Sequence, residues 1–389
     1  MEMQLKYGNN PHQKPAKVSV PGAQMPIKVL NGSLGFINIL DALSGWQLVR
    51  ELKQATGSPA AASLKHTSPA GAAIALPLAP DFLRSQFIEE KDLSPVATAY
   101  IRARAGDRMC SFGDAAAISD IVDASLARVL AREVCDLVIA PGYTPEALDI
   151  LKSKRKGRFL ILEIDPSFEP TGPEVRDCFG FTLEQPRNTY AINKDLFQKP
   201  VTQKTKVTGT EMASLITATI ALKYTLSNSI CLAWDGQVIG AGAGQQSRVH
   251  CVRLACAKAE KWMLQQHPKT LGLKFRPGRK SPEKANAVDQ YLLWDDLSEA
   301  EQRVLVGSLE AKPEPLQQGE RREWFKNFPG ICLSSDAFFP FRDSIDRASR
   351  TSVRCLAQAG GSLRDGDVTA AADEYGMVMF HTGLRLFTH

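Results

Sequence analysis

Residues 227–253 read SNSICLAWDGQVIGAGAGQQSRVHCVR, and no other stretch says more about the fold. ICLAW has the apolar composition of a buried strand. Asp235-Gly236 is a two-residue turn signal, which predicts a hairpin with QVIGAG as its second strand. That strand runs into Gly242 and Gly244, and residues without a side chain let the backbone approach a ligand closely. The stretch therefore predicts a hairpin that ends in a glycine-rich loop.

Helices are predicted on both sides of this hairpin. Thr208 and Glu211 form a capping box, which predicts a helix running to about Tyr224. Ser247 is a candidate cap for the next helix. The backbone amides around it and the positive end of the helix dipole would then both point towards a bound anion. Arg248 would add a planar charged donor fork beside them. The alternative is a tight glycine connection followed by a solvated arginine, because a short glycine run is weak evidence for a site.

The composition limits the class of protein. With 389 residues, 44% hydrophobic and 23% charged, the chain is large enough for two cores. Its start lacks the apolar segment of a signal peptide, and no window holds 18 uncharged apolar residues, so a cytoplasmic location is expected. The eight cysteines form no C-x-x-C pair. We expect most of them to be reduced core residues.

The net charge of +5 does not indicate nucleic-acid binding. The excess is small and is concentrated in residues 152–158 and 274–284, neither of which alternates with aromatic residues. A solvated basic face or a funnel for an anionic substrate fits this pattern better than duplex binding.

Short apolar runs alternate with helical stretches along the chain. AAASLKH is followed by a predicted helix near residue 71, DLVIAPGY by the helix PEALDILKSK, and FLILEI by a loop of about thirty polar residues. This alternation predicts an α/β sheet with helices on both faces. The proline- and glycine-rich segments 265–282 and 312–320 are interpreted as crossings between two lobes.

SLKHTSPAGAA contains a second candidate site. An apolar run ends in Lys65 and His66 before a predicted Ser-Pro-Ala-Gly turn, at the strand end where open α/β sheets bind ligands. Imidazole suits proton transfer at neutral pH, and an adjacent ammonium favours its neutral form. The alternative is ordinary surface polarity.

SSDAFFPFRDSIDRAS is a third candidate. It places phenylalanines beside carboxylates around Pro340, which suits a slot for a flat heteroaromatic ligand. The alternative, compatible with the first, is a hydrophobic loop plug whose charges cap the following helix.

These segments resemble the AICAR transformylase family (5-aminoimidazole-4-carboxamide ribonucleotide formyltransferase). The resemblance covers essentially the whole chain, with motifs in the family's order: LKYGNNPHQ, NGSLGFIN, SLKHTSPAGAA, SFGDAAAISD, EVCDLVIAPGY, YTLSNSICLA, GAGQQSRVHCVRLA, SSDAFFPFRDSIDRA and HTGLRLFTH. The family carries this unit as the C-terminal part of a bifunctional protein with an IMP cyclohydrolase domain. This chain begins at the transformylase motif, so cyclohydrolase activity is expected to be absent. Its product would then pass to a separate IMP cyclohydrolase, with which functional coupling is expected.

The resemblance implies transfer of a formyl group from 10-formyltetrahydrofolate to the 5-amino group of AICAR, giving FAICAR in purine (IMP) biosynthesis. His66 would accept the proton of the attacking amine, and Lys65 would stabilise charge or help to protonate the departing folate nitrogen. Asn228 would hydrogen-bond the developing oxyanion. The division of roles between Lys65 and His66 is left open.

Motif matching also implies the binding residues. The nucleotide would contact Lys6, Tyr7, Asn38, Gly113, Asp136, Arg155, Arg248, Phe338 and Arg385. The folate would contact Met109, Ser247, Val249, Pro340, Phe341 and Asp343. At position 6 the family has arginine and this chain has lysine. The lysine keeps the positive charge, but it lacks the two parallel N–H donors with which arginine binds a phosphate.

The family fold implies two similar cytidine-deaminase-like α/β lobes without zinc, in a homodimer with active sites at the interface. The first lobe would comprise residues 1–171 plus 265–328, and the second 172–264 plus 329–389. The H-x-E and P-C-x-x-C motifs that hold zinc in deaminases are absent from the sequence, so no catalytic metal is expected. A structural potassium ion near Thr225 and Asp336 is expected from the family.

Three alternatives remain at this point. A metal-free deaminase relative would share the fold, although the KH, SNS and QQSR motifs argue against it. A non-catalytic purine-nucleotide-binding protein would need only the phosphate contacts. A transformylase with another formyl donor, such as formate with ATP, lacks a G-x-x-x-x-G-K-[ST] loop for the ATP phosphates.

Overall fold

A mixed sheet of eleven strands lies at the centre of the molecule. The computed structural model describes residues 1–22 and 24–389. Its strands are β1 Glu2–Leu5, β2 Ala16–Ser19, β3 Ile27–Asn31, β4 Ala60–Lys65, β5 Ser68–Ile74, β6 Asp114–Ile118, β7 Cys135–Ala140, β8 Leu160–Ile164, β9 Glu174–Cys178, β10 Phe181–Gln185, β11 Ile230–Trp234, β12 Gln237–Gly242, β13 Ile331–Ser335, β14 Val353–Gln358 and β15 Val378–His381. The mixed α/β class predicted from the sequence is confirmed.

Helices alternate with these strands along the chain. They are α1 Phe36–Thr56, α2 Pro80–Ser85, α3 Pro95–Ala105, α4 Ala124–Arg132, α5 Pro145–Ser153, α6 Gly209–Lys223, α7 Arg248–Gln265, α8 Pro268–Leu271, α9 Ser281–Leu292, α10 Glu299–Ser308, α11 Gln318–Phe325, α12 Asp343–Ser349 and α13 Asp365–Glu374. None of the helices in the described residues is long and apolar enough to cross a membrane.

The large sheet has two halves that share the order of five strands, and β3 adds to the edge of the first half antiparallel to β8. In the first half, β4 and β5 form an antiparallel hairpin, β6 runs antiparallel to β4, and β7 and β8 follow in parallel. In the second half, β11 and β12 form the hairpin, β13 runs antiparallel to β11, and β14 and β15 follow in parallel. β5 and β12 join the halves by antiparallel pairing at Ala73 and Gln237.

The helices divide the hydrophobic core between the two faces of the sheet. α1 and α6, which each precede a hairpin, pack on one face and contact each other. α3 and α7, which each follow a hairpin, pack on the opposite face, together with α4, α5, α12 and α13. Both faces of the central strands are therefore covered, and the ends of the strands are left to form the site.

The local signals around the glycine-rich stretch are confirmed. Thr208 Oγ1 accepts a hydrogen bond from the Glu211 amide at 3.2 Å, and Glu211 Oε2 accepts one from the Thr208 amide at 2.7 Å. Asp235 and Gly236 have φ of 50° and 68°, as the predicted hairpin turn requires. The cap predicted at Ser247 is wrong in one respect, because α7 begins after Ser247 but its side chain makes no capping hydrogen bond.

The helix predicted near residue 71 is wrong, and so is the Ser-Pro-Ala-Gly turn. Residues 68–74 form β5, which pairs with β4 and β12 in the middle of the sheet. Because helices cover both faces of this strand, most of its residues are small and apolar, without the alternation that marks a half-exposed strand. The polar stretch after β8 also differs from prediction, since β9 and β10 form a separate antiparallel hairpin there.

Burial of most cysteines is confirmed. Cys135, Cys231, Cys251, Cys256, Cys332 and Cys355 are buried, while Cys178 is exposed and Cys110 intermediate. Burial raises the pKa of Cys231 and of Cys251 to about 12 and that of Cys256 to about 11. These thiols therefore stay protonated at neutral pH and behave as small apolar core groups.

Close packing of α3 on β5 depends on Gly71. A Cβ at this position would overlap the carbonyl oxygen of Ala103 in α3. We expect Gly71→Ala to lower the free energy of unfolding by about 1–3 kcal/mol, because backbone atoms must move apart. Urea unfolding followed by circular dichroism measures the change. Gly307→Ala in α10 is the control, since among the described residues no atom outside the backbone of its own helix lies within 4 Å of its Cβ position, and an equal loss in both variants would contradict the packing argument.

Candidate active site

The turn between β4 and β5 presents the first candidate residues. His66 and Thr67 form the two-residue loop of this hairpin, with φ of 52° and 62°. Such positive values at both central residues are those of a type I′ turn. The His66 side chain is exposed at the tip of the turn, and Lys65 is the last residue of β4. The structure thus places an imidazole at the surface, beside an anchored lysine.

Lys65 is held by the backbone that precedes β6. Its Nζ donates to the carbonyl oxygens of Phe112 at 2.7 Å and Gly113 at 3.2 Å. Gly113 has φ of 74°, and a Cβ there would lie 3.1 Å from Lys65 Nζ, so the approach favours glycine. An ammonium has three N–H donors, and two are used here. Lys65 is therefore fixed in position and keeps one donor for a ligand.

Asp136 and Arg155 lie beside this lysine. The Cβ position of Gly113 is 3.8 Å from both carboxylate oxygens of Asp136. Arg155 Nη1 pairs with Asp136 Oδ1 at 3.0 Å, and about half of each side chain is exposed. The structure brings together four residues that the sequence placed in separate motifs, which are Lys65, Gly113, Asp136 and Arg155.

Asn228 and Arg248 belong to a second, buried cluster. Arg248 Nη2 donates to Asn228 Oδ1 at 2.8 Å, and Arg248 Nη1 pairs with Asp336 Oδ1 and donates to the Ser229 carbonyl oxygen at 3.3 Å. Asp336 Oδ2 accepts from the Ser229 amide at 2.9 Å and hydroxyl at 3.1 Å. The solvated arginine considered from the sequence is wrong, because Arg248 is 8% exposed and both its terminal nitrogens have protein partners.

The two clusters lie at the same edge of the sheet. β5 and β12 pair antiparallel, so the start of β5 and the end of β12 lie towards this same edge. The Leu226 amide donates to Ser68 Oγ at 3.3 Å, and the Gly244 amide donates to the Leu226 carbonyl oxygen at 2.8 Å. The Lys65-His66 turn, the segment before Asn228 and the glycine-rich loop are therefore neighbours.

The remaining nucleotide candidates lie in three places. The Lys6 amide donates to the Leu34 carbonyl oxygen at 3.1 Å, which brings Lys6 and Tyr7 close to the start of α1. Asn38 Oδ1 accepts from the Gly35 amide at 3.1 Å in the first turn of that helix. Phe338 is 42% exposed, and exposed Arg385 stacks on the Phe387 ring at 4.8 Å.

The folate candidates surround α7. Ser247 and Val249 flank its first residue. Pro340 and Phe341 precede α12 and Asp343 is its first residue, and α12 packs on α7. Lys258 of α7 pairs with Asp107 Oδ2 at 2.9 Å and anchors the loop that carries Met109. Met109 and Phe341 are 40% and 53% exposed, so both present apolar surface to solvent.

Asp41 is a residue of this region that the sequence did not indicate. Its Oδ1 accepts a hydrogen bond from the Thr67 amide at 2.7 Å, although Asp41 lies in α1 and is only 8% exposed. A carboxylate on the buried row of an amphipathic helix was the available signal, because Gly45, Leu48 and Leu52 follow it on that row. Its partner is a backbone amide, which no motif records.

The two residues expected near potassium, Thr225 and Asp336, both carry side-chain oxygen atoms that could ligate a cation. Thr225 and Asp336 are fully buried, but Thr225 Oγ1 donates to the Ala221 carbonyl oxygen at 2.7 Å and the Asp336 carboxylate is paired with Arg248. Residues 1–22 and 24–389 contain no cluster of three or more His, Cys, Asp or Glu side chains suited to a metal ion.

Comparison with known proteins identifies the family of this chain. The family model described as AICARFT/IMPCHase bienzyme matches residues 1–258. The bifunctional purine biosynthesis protein PurH of Roseobacter denitrificans is 32% identical over 391 residues, covering 99% of this chain and 59% of that protein. PurH of Xanthomonas campestris pv. campestris is 30% identical over 393 residues, covering 100% of this chain and 58% of that protein.

The chain belongs to the AICARFT/IMPCHase bienzyme family. It spans between 58% and 59% of the length of these two relatives. The resemblance found from the sequence motifs is thereby confirmed.

Removal of Arg248 tests the buried cluster. We expect Arg248→Met to lower the free energy of unfolding by about 3–5 kcal/mol, because the buried Asp336 carboxylate loses its cation. Urea unfolding measures the loss. Arg253→Met, at an exposed position of the same helix, is the control and should change stability by less than about 0.5 kcal/mol. Equal stability of the two variants would show that Asp336 does not need Arg248.

Proposed function

We propose that this protein transfers the formyl group of 10-formyltetrahydrofolate to the 5-amino group of AICAR, giving FAICAR in purine biosynthesis. Membership of the family and the names of the purine-biosynthesis relatives support the reaction class. The observation that carries the proposal is the position of the Lys65-His66 turn next to the segment that leads into Asn228.

The chemistry needs a base, a charge-stabilising donor and a proton for the leaving group. The amine nitrogen forms a bond to the formyl carbon, and the bond between that carbon and the folate N10 breaks. His66, exposed at the tip of its turn, accepts the proton that the amine loses. The departing N10 takes up a proton, for which Lys65 and the protonated His66 are the nearby donors. The product amide and tetrahydrofolate complete the balance.

Arg248 gives Asn228 its orientation for this role. The Asn228 oxygen accepts from Arg248, so the amide nitrogen must face the other way. That nitrogen donates one hydrogen bond to the Gln245 carbonyl oxygen at 2.8 Å. Its second N–H remains for the oxyanion that develops on the formyl oxygen, where a fixed donor is worth about 10²-fold or more in rate. Arg248 thus acts on the reaction through Asn228, in addition to any contact with the nucleotide.

We assign the substrate contacts as the motifs imply. The basic Arg155 and Lys6, both exposed, would attract the phosphate of the nucleotide. Exposed Met109 and Phe341 would contact the folate along α7.

Potassium would require other oxygen ligands than the Asp336 carboxylate, which is already paired. We also propose that the two halves of the sheet are cytidine-deaminase-like lobes with the boundaries given above, which their common strand order supports.

A homodimer is supported by the β9–β10 hairpin. Among residues 1–22 and 24–389 its strands pair only with each other, and Val175, Phe179, Phe181 and Leu183 are 57%, 98%, 70% and 55% exposed. Apolar side chains gathered on a projecting hairpin favour contact with a second protein surface. A cytoplasmic location remains a prediction from the sequence.

Tetrahydrofolate release, followed by absorbance with both substrates, tests the activity. We expect release to need AICAR and 10-formyltetrahydrofolate together, and to fall about 10²–10⁴-fold in His66→Ala because the base is lost. His267→Ala, in the helical segment after α7, should keep the activity. Formation of FAICAR from AICAR with formate and ATP in place of the folate would favour the other donor. Binding of AICAR without any release would favour the non-catalytic alternative.

Substitution of the hairpin tests the dimer. We expect the Phe179→Ser/Phe181→Ser double variant to shift from dimer to monomer in light scattering, because its apolar contact surface is removed. Leu363→Ser removes a fully exposed leucine elsewhere and should leave the dimer intact. A double variant that stays dimeric would exclude the hairpin as the main contact.

A further inference from the structure

Helix α1 holds both polar groups of the Thr67 backbone. Asp41 Oδ1 accepts from the Thr67 amide at 2.7 Å, and Ser44 Oγ donates to the Thr67 carbonyl oxygen at 3.3 Å. Residues three apart lie on one face of a helix, so the two side chains act on the same residue. His66 and Thr67 are both in the left-handed region, which residues with a Cβ rarely adopt. Contacts from another element therefore help to keep this turn, which contains no glycine.

The Asp41 carboxylate is placed where it costs stability. Burial raises the pKa of Asp41 above its ordinary value, against the lowering effects of the Thr67 amide, His66 and Lys65, while Asp136 adds to the rise. An acid with a raised pKa in the folded state destabilises the fold once it ionises. Asparagine would keep an acceptor for Thr67 without this cost. The hydrogen bond to Thr67 therefore does not explain why position 41 carries a negative charge.

We propose that Asp41 is a positioning residue for His66: its carboxylate holds the His66-Thr67 turn and stabilises the positive charge that the imidazole acquires on taking the proton. The charged groups around Asp41 are His66 in the turn, Lys65 at the end of β4 and Asp136 in β7. Asp136 pairs with Arg155, so its negative charge is partly compensated. The role in catalysis rests on the proposed formyl transfer, whereas the role in holding the turn does not.

Two substitutions separate the hydrogen bond from the charge. Asp41→Asn keeps the acceptor and removes the charge, so we expect kcat to fall about tenfold with KM within about twofold. Asp41→Ala removes both, and kcat should fall about 10–100-fold, because a displaced base reacts slowly. Asp123→Asn is the matched control, since that carboxylate accepts the Leu126 amide at 2.9 Å at the start of α4.

The melting temperature gives a readout that a structural role would not produce. We expect Asp41→Asn to melt at or above the wild-type temperature at pH 7. The advantage should shrink as pH falls through the raised pKa of Asp41 towards its ordinary value of 3.8, because the wild-type carboxyl then becomes neutral in both states. Lower activity with equal or higher stability supports the inference. Unchanged kcat in Asp41→Asn, in an enzyme that His66→Ala inactivates, would overturn it.

Hydrogen exchange tests whether Asp41 holds the Thr67 backbone, and it needs no catalysed reaction. Mass spectrometry of the peptide spanning residues 64–70 should show faster exchange at Thr67 in Asp41→Ala and wild-type protection in Asp41→Asn. Equal exchange in all three proteins would show that Asp41 does not hold the turn. If the wild-type protein releases no tetrahydrofolate, the proposed function fails, and exchange and melting still decide whether Asp41 holds the turn.

Discussion

The pairing of β5 with β12 is the constraint on which the rest of the structure depends. Each half of the sheet has its own hairpin, and this antiparallel junction merges them into one sheet. It sets the end of β12, with its glycine-rich loop, beside the turn that carries Lys65 and His66. Gly71 and Gly240 allow helices to pack closely on the two strands, since a Cβ at either would overlap a helix carbonyl oxygen. The position of the site is thus a consequence of how the two halves join.

Arg248 and Asp336 form the polar centre of the second half. Desolvation of two charges is costly, and it is offset here by hydrogen bonds to Asn228, to Ser229 and between the pair. The same bonds fix the side chain of Asn228. The stability of this half and the orientation of the Asn228 amide therefore depend on one cluster, which couples the fold to the chemistry we propose.

Two signals confined to neighbouring residues were predicted correctly from the sequence, whereas two others, the Ser247 side-chain cap and the Ser-Pro-Ala-Gly turn, were not. The Thr208-Glu211 capping box and the Asp235-Gly236 turn involve positions up to three apart, and both are formed as expected. β5 was mistaken for a helix because its composition reflects the helices that cover it and not its own geometry. The identities of Lys65, His66 and Asn228 came from motifs, but the proximity of their segments depends on pairing between distant strands. Asp41 escaped notice because its partner is an amide 26 residues away.

The two halves use the same hairpin turn differently. In the first half the turn is His66-Thr67, open to solvent and held from outside by a helix. In the second half it is Asp235-Gly236, where buried Arg102 donates to the Asp235 carbonyl oxygen and to that of Ile74 across the junction. The first turn is therefore accessible to a ligand, whereas the second helps to join the two halves of the sheet.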